Sequence, residues 1–346
     1  MKYLIKLIFL IYKKKQKPIN ELKNFNTFLI ISNTALGDTL LSTSAIKSLK
    51  KSFPNSKIIA ILKSSYSPLF KNYKYIDEII EYDGNVKGFF KTLFKLRKKH
   101  IDAALIFHSN SPFDIWLSVL SGIKFILKHP TNTPLKKYLS FNFEKKDQHT
   151  IEDRLDLVRL IGGKEIDKTM EISPLNNEKF LNKYKKYKNY IGFQIGAADK
   201  YKMWPIENFI QLAKKMKDEK ILITGVQSEW ELGEKIAKEC PNVINMCGKC
   251  TIEELPYLIK QLKILVTNDT GTMHLAIALK VPTISLFSAT SSKWIGPYQD
   301  MKIHKVIQKD GSFIRQLSKK ERDDSAMKLI SVDEVYQKYK ELNETV

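Results

Sequence analysis

Asp269, Thr270 and Gly271 stand between an apolar β-branched run at residues 264–266 and a helical pattern over residues 273–279. With Asn268 they form a polar turn at the end of a buried strand, directly before a helix N-terminus whose unpaired N–H groups suit an anion. In a parallel α/β sheet the ligand crevice lies outside the carboxyl ends of the strands, so this turn is a candidate phosphate seat. His274, on the helix that follows, either donates to such a phosphate or packs in the core.

Other strand ends carry polar side chains of the same kind. The stretch Asn33-Thr34-Ala35-Leu36-Gly37-Asp38 joins the first strand to a helix expected from Thr39 onward. Asp38 has two readings, a helix cap or a carboxylate placed as Asp269 is placed in the other half. Residues 196–205 follow a later strand: small residues allow close backbone approach, Lys202 supplies a point charge, Trp204 can anchor the loop and Pro205 suits the first turn of a helix. That is a pyrophosphate seat, or a solvated lysine beside a packing tryptophan. Glu229, after Gly225-Val226-Gln227-Ser228, either accepts both hydroxyls of a ribose or complements a helix dipole. No Asp-x-Asp triplet stands at a strand end and no Gly-x-Gly-x-x-Gly is present, against a metal-held nucleotide sugar and against a dinucleotide.

These turns need strands and helices to hold them, and the apolar runs alternate with helical patterns in βα order. Strands are expected at residues 28–32, 58–62, 78–82, 103–107 and 124–127, with helices at 39–53, 89–98, 113–120 and 151–161. Residues 168–188 are charged, Pro-containing and weakly patterned, and the domain boundary is expected there. A second series follows: strands at 190–195, 221–224, 243–246 and 264–266, helices at 206–216, 229–240, 252–262 and 273–279, a further strand, and a closing helix at 332–342. The expected layout is a basic segment and linker over residues 1–26, one α/β domain over 27–170 and another over 171–346, with ligands held between them.

Among 346 residues the formal net charge is +21, which points to a polyanionic partner or to compositional bias towards lysine. Nucleic acid is not the expected partner, because the chain offers charge without an RNP-type aromatic stretch, a zinc module or a reading helix. Cys240, Cys247 and Cys250 are too few for a disulfide framework, and nothing completes Cys247-x-x-Cys250 as a metal site. At the N-terminus, residues 4–12 are apolar but too short to span a bilayer, and six lysines precede the first acid, Glu21. An interfacial helix on anionic lipid is expected there, against the alternative of a frayed or core-docked tail.

Taken together, these segments resemble glycosyltransferase family 9, the lipopolysaccharide heptosyltransferases. The resemblance runs from about Phe28 to the last helix. It is carried by Leu36-Gly37-Asp38 with the following helix and Phe53-Pro54, by Lys202-Met203-Trp204-Pro205, and by residues 268–276, Asn-Asp-Thr-Gly-Thr-Met-His-Leu-Ala. It implies two Rossmann-like domains facing across a cleft, the GT-B type. It further implies an inverting transferase acting between ADP-heptose and the inner core of a phosphorylated, lipid-linked saccharide.

By the same resemblance Asp38 is the general base, with Gly37 and Thr39 in an acceptor or phosphate loop. Lys202 holds donor phosphate and Glu229 the ribose, while Asp269, Thr270, Gly271 and His274 hold pyrophosphate and sugar. Cys250, aligned through Gly248-Lys249-Cys250-Thr251-Ile252, lines the base pocket. No metal or other cofactor is implied. The implied location is the cytoplasmic face of the inner membrane, peripherally bound to anionic lipid. Where the family often reads Phe-Gly-Pro-Thr, this chain has Phe287-Ser288-Ala289-Thr290. The same two-domain fold also hosts nucleotide-sugar epimerases and transferases with other donors, which are the alternative readings.

Overall fold

The computed structural model describes residues 17–18, 25–109, 112–129, 135–144 and 146–345. The surface helix expected at the N-terminus lies outside the described residues. The chain divides into two compact units after Ser173.

In the first unit, apolar runs such as Phe28-Leu29-Ile30-Ile31 are wholly buried, as strands covered on both faces must be. They build a five-stranded parallel sheet in the order β3-β2-β1-β4-β5, from β1 (Thr27–Ser32), β2 (Lys57–Leu62), β3 (Glu78–Glu81), β4 (Ala103–His108) and β5 (Phe125–Lys128). The helices are α1 (Leu36–Ser52), α2 (Val86–Arg97), α3 (Pro112–Leu120) and α4 (Thr150–Leu160). Chain order reverses between β1 and β4, so the switch point of a doubly wound sheet lies at their carboxyl ends. The β1/β4 register slips there, pairing Ile31 with Ile106 but Ser32 with His108. Such an irregularity re-aims the side chains that leave the strand ends.

The second unit repeats the plan with one more strand, in the order β11-β10-β9-β6-β7-β8, all parallel. The strands are β6 (Ile191–Gln194), β7 (Ile221–Thr224), β8 (Val243–Asn245), β9 (Ile264–Asn268), β10 (Thr283–Phe287) and β11 (His304–Gln308). The helices are α5 (Glu178–Tyr184), α6 (Ile206–Lys215), α7 (Trp230–Glu239), α8 (Leu255–Ile259), α9 (Gly271–Ala278), α10 (Ser292–Ile295), α11 (Ser312–Gln316) and α12 (Val332–Asn343). Its switch point lies between β6 and β9. The chain is thus an α/β protein of two Rossmann-like units, as the sequence predicts.

Several boundaries differ from expectation. Helix α1 begins at Leu36 rather than Thr39, so Asp38 sits in its first turn and the N-cap is Ala35, without a capping side chain. Helix α9 likewise starts early, at Gly271. The helix expected over 252–262 shortens to α8, and it starts late, at Leu255, because a proline ring at 256 clashes with a helical turn before it. A reciprocal pair, Thr251 N–H to Glu254 at 3.1 Å and Glu254 N–H to Thr251 Oγ1 at 3.3 Å, holds the preceding turn instead. Strand β11 and helix α5 form where the sequence pattern predicts no element.

Candidate functional site

In the first unit, Asp38 projects from the first turn of α1 beside the β1/β4 switch point. Thr34 Oγ1, from the loop after β1, donates to Asp38 Oδ2 at 3.0 Å. The same hydroxyl lies 2.6 Å from His108 Nδ1 at the end of β4. Thr34 has a single hydroxyl proton and gives it to Asp38, so His108 Nδ1 carries the hydrogen and donates to Thr34. Burial holds the His108 imidazole below its usual pKa, against the pull of Asp38, so the ring is neutral near pH 7.

On the other carboxylate oxygen, Arg154 Nη2 of α4 approaches Asp38 Oδ1 at 3.4 Å. Helix α4 packs along α1 and buries the Arg154 side chain to 1% exposure, while Asp38 keeps 26%. Burial pulls the guanidinium pKa down to about 10, and the Asp38 and Asp153 charges oppose that pull. The guanidinium therefore stays charged at neutral pH. The result is a carboxylate fixed from behind by a hydroxyl and a cation, with solvent access in front. That geometry lets it take a proton from a neutral hydroxyl. Thr39, in contrast, is fully buried and donates to Ser32 O at 3.0 Å, fastening α1 to β1; Gly37 is buried beside it.

Behind this site Asp114 of α3 is 1% exposed, and among the described residues neither of its carboxylate oxygens has a hydrogen-bond partner. Burial pushes its pKa up to about 7, with the Lys128 ammonium pulling the other way. An unfolded aspartate titrates near pH 4, so folding is penalised increasingly as pH rises from about 4 to about 7, and no further above that. Asp114→Asn is therefore expected to gain on the wild type across that window and then hold a constant lead of at least about 2 °C in Tm. Melting curves over the window check this, and a lead independent of pH contradicts it.

In the second unit, the loop after β6 and the turn after β9 meet at the switch point. The Asn268 side chain bridges them, donating to Ile195 O at 2.9 Å and accepting from Trp204 N–H at 3.0 Å. Trp204 is fully buried, donates from Nε1 to Ile330 O at 2.9 Å and packs edge-on against Phe209 at 4.9 Å. It anchors the loop that carries Lys202. Lys202 Nζ lies 2.7 Å from Asp269 Oδ2, with side-chain exposures of 20% and 6%. Thr290, after β10, donates to the same oxygen at 2.7 Å.

Thr270 is the N-cap of α9 and makes no capping side-chain bond, and Gly271 opens the helix. The α9 N-terminus therefore presents backbone N–H groups without a side-chain cap, beside a lysine, which is the environment an anionic phosphate needs. His274 lies one turn further on, buried at 4% exposure.

Glu229 stands against the ends of two neighbouring strands. A Cβ at Gly196 would fall 1.5 Å from Glu229 Oε1, and one at Gly225 would fall 2.3 Å from Oε2, so only glycine leaves room for this carboxylate. It accepts Val226 N–H at 2.9 Å, and burial raises its pKa. Cys250 lies on the adjoining loop, tied to the Glu229 loop by Gly248 N–H to Gly225 O at 2.9 Å. Gly248 has φ +70, and a Cβ there would fall 2.2 Å from Gln227 Oε1. The Cys250 thiol donates to Tyr184 Oη at 3.0 Å, and no hydrogen bond among the described residues joins it to Glu229, Lys202 or Asp269. All three cysteines are free.

The structure thus gathers Lys202, Asp269, Thr270 and Gly271 at one strand end, with Glu229 against Gly196 of the same loop system. The sequence pattern singles out neither His108 nor Arg154, and it marks Thr290 only as the last residue of Phe287-Ser288-Ala289-Thr290, with no role beside Asp269. His108 had a signal, since it ends the strand that a doubly wound order places beside β1. Arg154 sits mid-helix more than a hundred residues from Asp38 and had none.

A sequence model of glycosyltransferase family 9 (heptosyltransferase) matches residues 135–321. Lipooligosaccharide heptosyltransferase 2 of Campylobacter jejuni is 27% identical over 282 residues, covering 77% of this chain and 83% of that protein. Among solved structures, a family 9 glycosyl transferase from Veillonella parvula matches with TM-score 0.78 at 19% identity, covering 93% of this chain and 98% of that one. The E. coli ADP-heptose LPS heptosyltransferase II matches with TM-score 0.75 at 20% identity, covering 92% and 99%.

Proposed function

This chain belongs to glycosyltransferase family 9, and on that premise we propose that it transfers a heptose from ADP-heptose to the inner core of lipopolysaccharide or lipooligosaccharide. The observation that carries the donor side is the Lys202–Asp269–Thr290 cluster at the uncapped N-terminus of α9. The relatives' names supply the sugar and the acceptor class.

In this reading the acceptor hydroxyl attacks the anomeric carbon as Asp38 takes its proton. The bond from the anomeric carbon to the phosphate oxygen breaks, and ADP leaves with the electron pair. Lys202 and the first N–H groups of α9 meet the charge that grows on the departing diphosphate, while Glu229 receives the ribose hydroxyls and the Cys250 loop flanks the base. His274, from inside α9, supports the phosphate end. We propose that lysine and helix N–H groups suffice for the diphosphate, so turnover should survive an excess of chelator; its loss, restored by a divalent cation, would contradict this. A phosphorylated acceptor on the cytoplasmic face of an anionic membrane suits the net charge of +21. Among the described residues no helix is long and apolar enough to cross a membrane.

A thermal-shift series with ADP, UDP and GDP tests the donor, because stabilisation follows affinity. ADP is expected to raise Tm, with UDP and GDP doing so less; stabilisation by UDP alone would contradict the adenine assignment. Lys202→Met should weaken ADP binding by about 10- to 100-fold, the worth of one charge-assisted phosphate contact. Calorimetric titration reads this directly, and an unchanged affinity removes Lys202 from the phosphate site.

A further inference from the structure

Helix α2 packs Phe89, Thr92, Leu93 and Leu96 against the first unit's sheet and leaves its other face to solvent. Along that face run Lys87, Lys91, Phe94 and Lys98, spaced i, i+4, i+7 and i+11, with Lys95 beside them. All five are exposed, and Phe94 is 59% exposed in the middle of the lysines. Phe90, half-buried, adjoins it one turn back.

No Asp or Glu occurs anywhere from residue 84 to residue 101. Lys87, Lys91, Lys95 and Lys98 have no carboxylate partner among the described residues. Many other surface lysines of this chain are paired, including Lys99 of the next turn with Glu78 at 2.7 Å. Helix α12, by contrast, sets Asp333, Glu334 and Glu341 among its lysines and pairs Lys338 with Glu341 at 2.8 Å.

Like charges at i, i+4 repel, and a phenylalanine more than half exposed gains nothing from water. Both features become favourable against one kind of surface, an apolar layer under a sheet of negative charge. We propose that the outer face of α2 docks the protein on an anionic phospholipid surface, with Phe94 entering the headgroup boundary and the lysines above it. The inference rests on the reading that the acceptor is lipid-linked, and it assigns contact with that lipid surface to the first unit, which also carries Asp38.

The test uses full-length protein and co-sedimentation with vesicles of phosphatidylglycerol and phosphatidylethanolamine, against vesicles of phosphatidylcholine. Heptose transfer to a delipidated, soluble acceptor is measured in parallel. The triple variant Lys87→Glu, Lys91→Glu, Lys95→Glu is expected to lose at least about tenfold in partitioning to the anionic vesicles, and Phe94→Ser about threefold or more. Both should keep the wild-type Tm and soluble-acceptor turnover, since all four positions face solvent.

Variants that bind anionic vesicles as the wild type does overturn the docking face while leaving the transferase reading intact. So does loss of binding in the lysine variant alone, with Phe94→Ser unchanged and a nucleic acid oligomer bound more tightly than vesicles. Absence of transfer by a wild type that still shows α2-dependent vesicle binding defeats the transferase reading and not the docking face.

Discussion

Asp38→Asn is expected to lower kcat by about 10³-fold while leaving ADP affinity within about twofold, because a general base contributes about 10²- to 10⁴-fold and the amide cannot accept the proton. The substitution keeps the volume of the side chain and an oxygen for the Thr34 hydroxyl, which donates to Asp38 at 3.0 Å. It removes the charge facing Arg154, whose side chain is 1% exposed, so some loss of stability accompanies it. Kinetics are therefore compared at a temperature where both proteins are folded. The proposed ADP seat, around Lys202 and the α9 N-terminus, lies in the other unit and does not include Asp38, so binding and turnover should separate. A kcat within tenfold of wild type would place the base elsewhere.

Trp204→Ala is expected to destabilise the second unit by about 3–5 kcal/mol, the usual cost of emptying a large aromatic site. Trp204 is fully buried, and its ring is clamped between the Nε1 bond to Ile330 O at 2.9 Å and the edge-on contact with Phe209. Truncation opens a cavity and leaves the Ile330 carbonyl without its indole donor. It also frees the loop that presents Lys202, so ADP affinity should fall with stability. Trp204→Phe, which refills much of the volume, should recover more than half of the loss. Urea unfolding followed by circular dichroism measures both, and a cost below about 1 kcal/mol would show that the loop is anchored by its backbone alone.

The fold was legible where burial on both faces leaves continuous apolar strands, as in Phe28-Leu29-Ile30-Ile31 and Ile58-Ile59-Ala60-Ile61-Leu62. It was obscure where burial is partial. Strand β11, His304-Lys305-Val306-Ile307-Gln308, lies at a sheet edge and buries only His304 and Ile307, so its apolar signal is thin. Helix α5 buries only Tyr184, although Asn177 accepting Phe180 N–H at 3.3 Å is a cap that the sequence displays.

At the candidate site, the turns after β1, β6, β7 and β9 were visible because their polar residues interrupt apolar runs. Their partners were not. Arg154 reaches Asp38 through the packing of α4 on α1, and Thr290 reaches Asp269 because β10 pairs with β9. Those neighbours follow from topology rather than spacing. The start of α1 at Leu36 also shows why a cap was the wrong reading of Asp38: the residue lies inside the helix, where its carboxylate points to Thr34 and Arg154 and makes no cap.

Transfer of one heptose from ADP-heptose to a core acceptor is read by mass spectrometry of a heptose-deficient lipooligosaccharide acceptor incubated with the protein and ADP-heptose. The expected result is an acceptor heavier by one heptose residue, formed with stoichiometric ADP and absent with Asp38→Asn. An acceptor of unchanged mass, or a donor converted to another sugar nucleotide without ADP release, would contradict it.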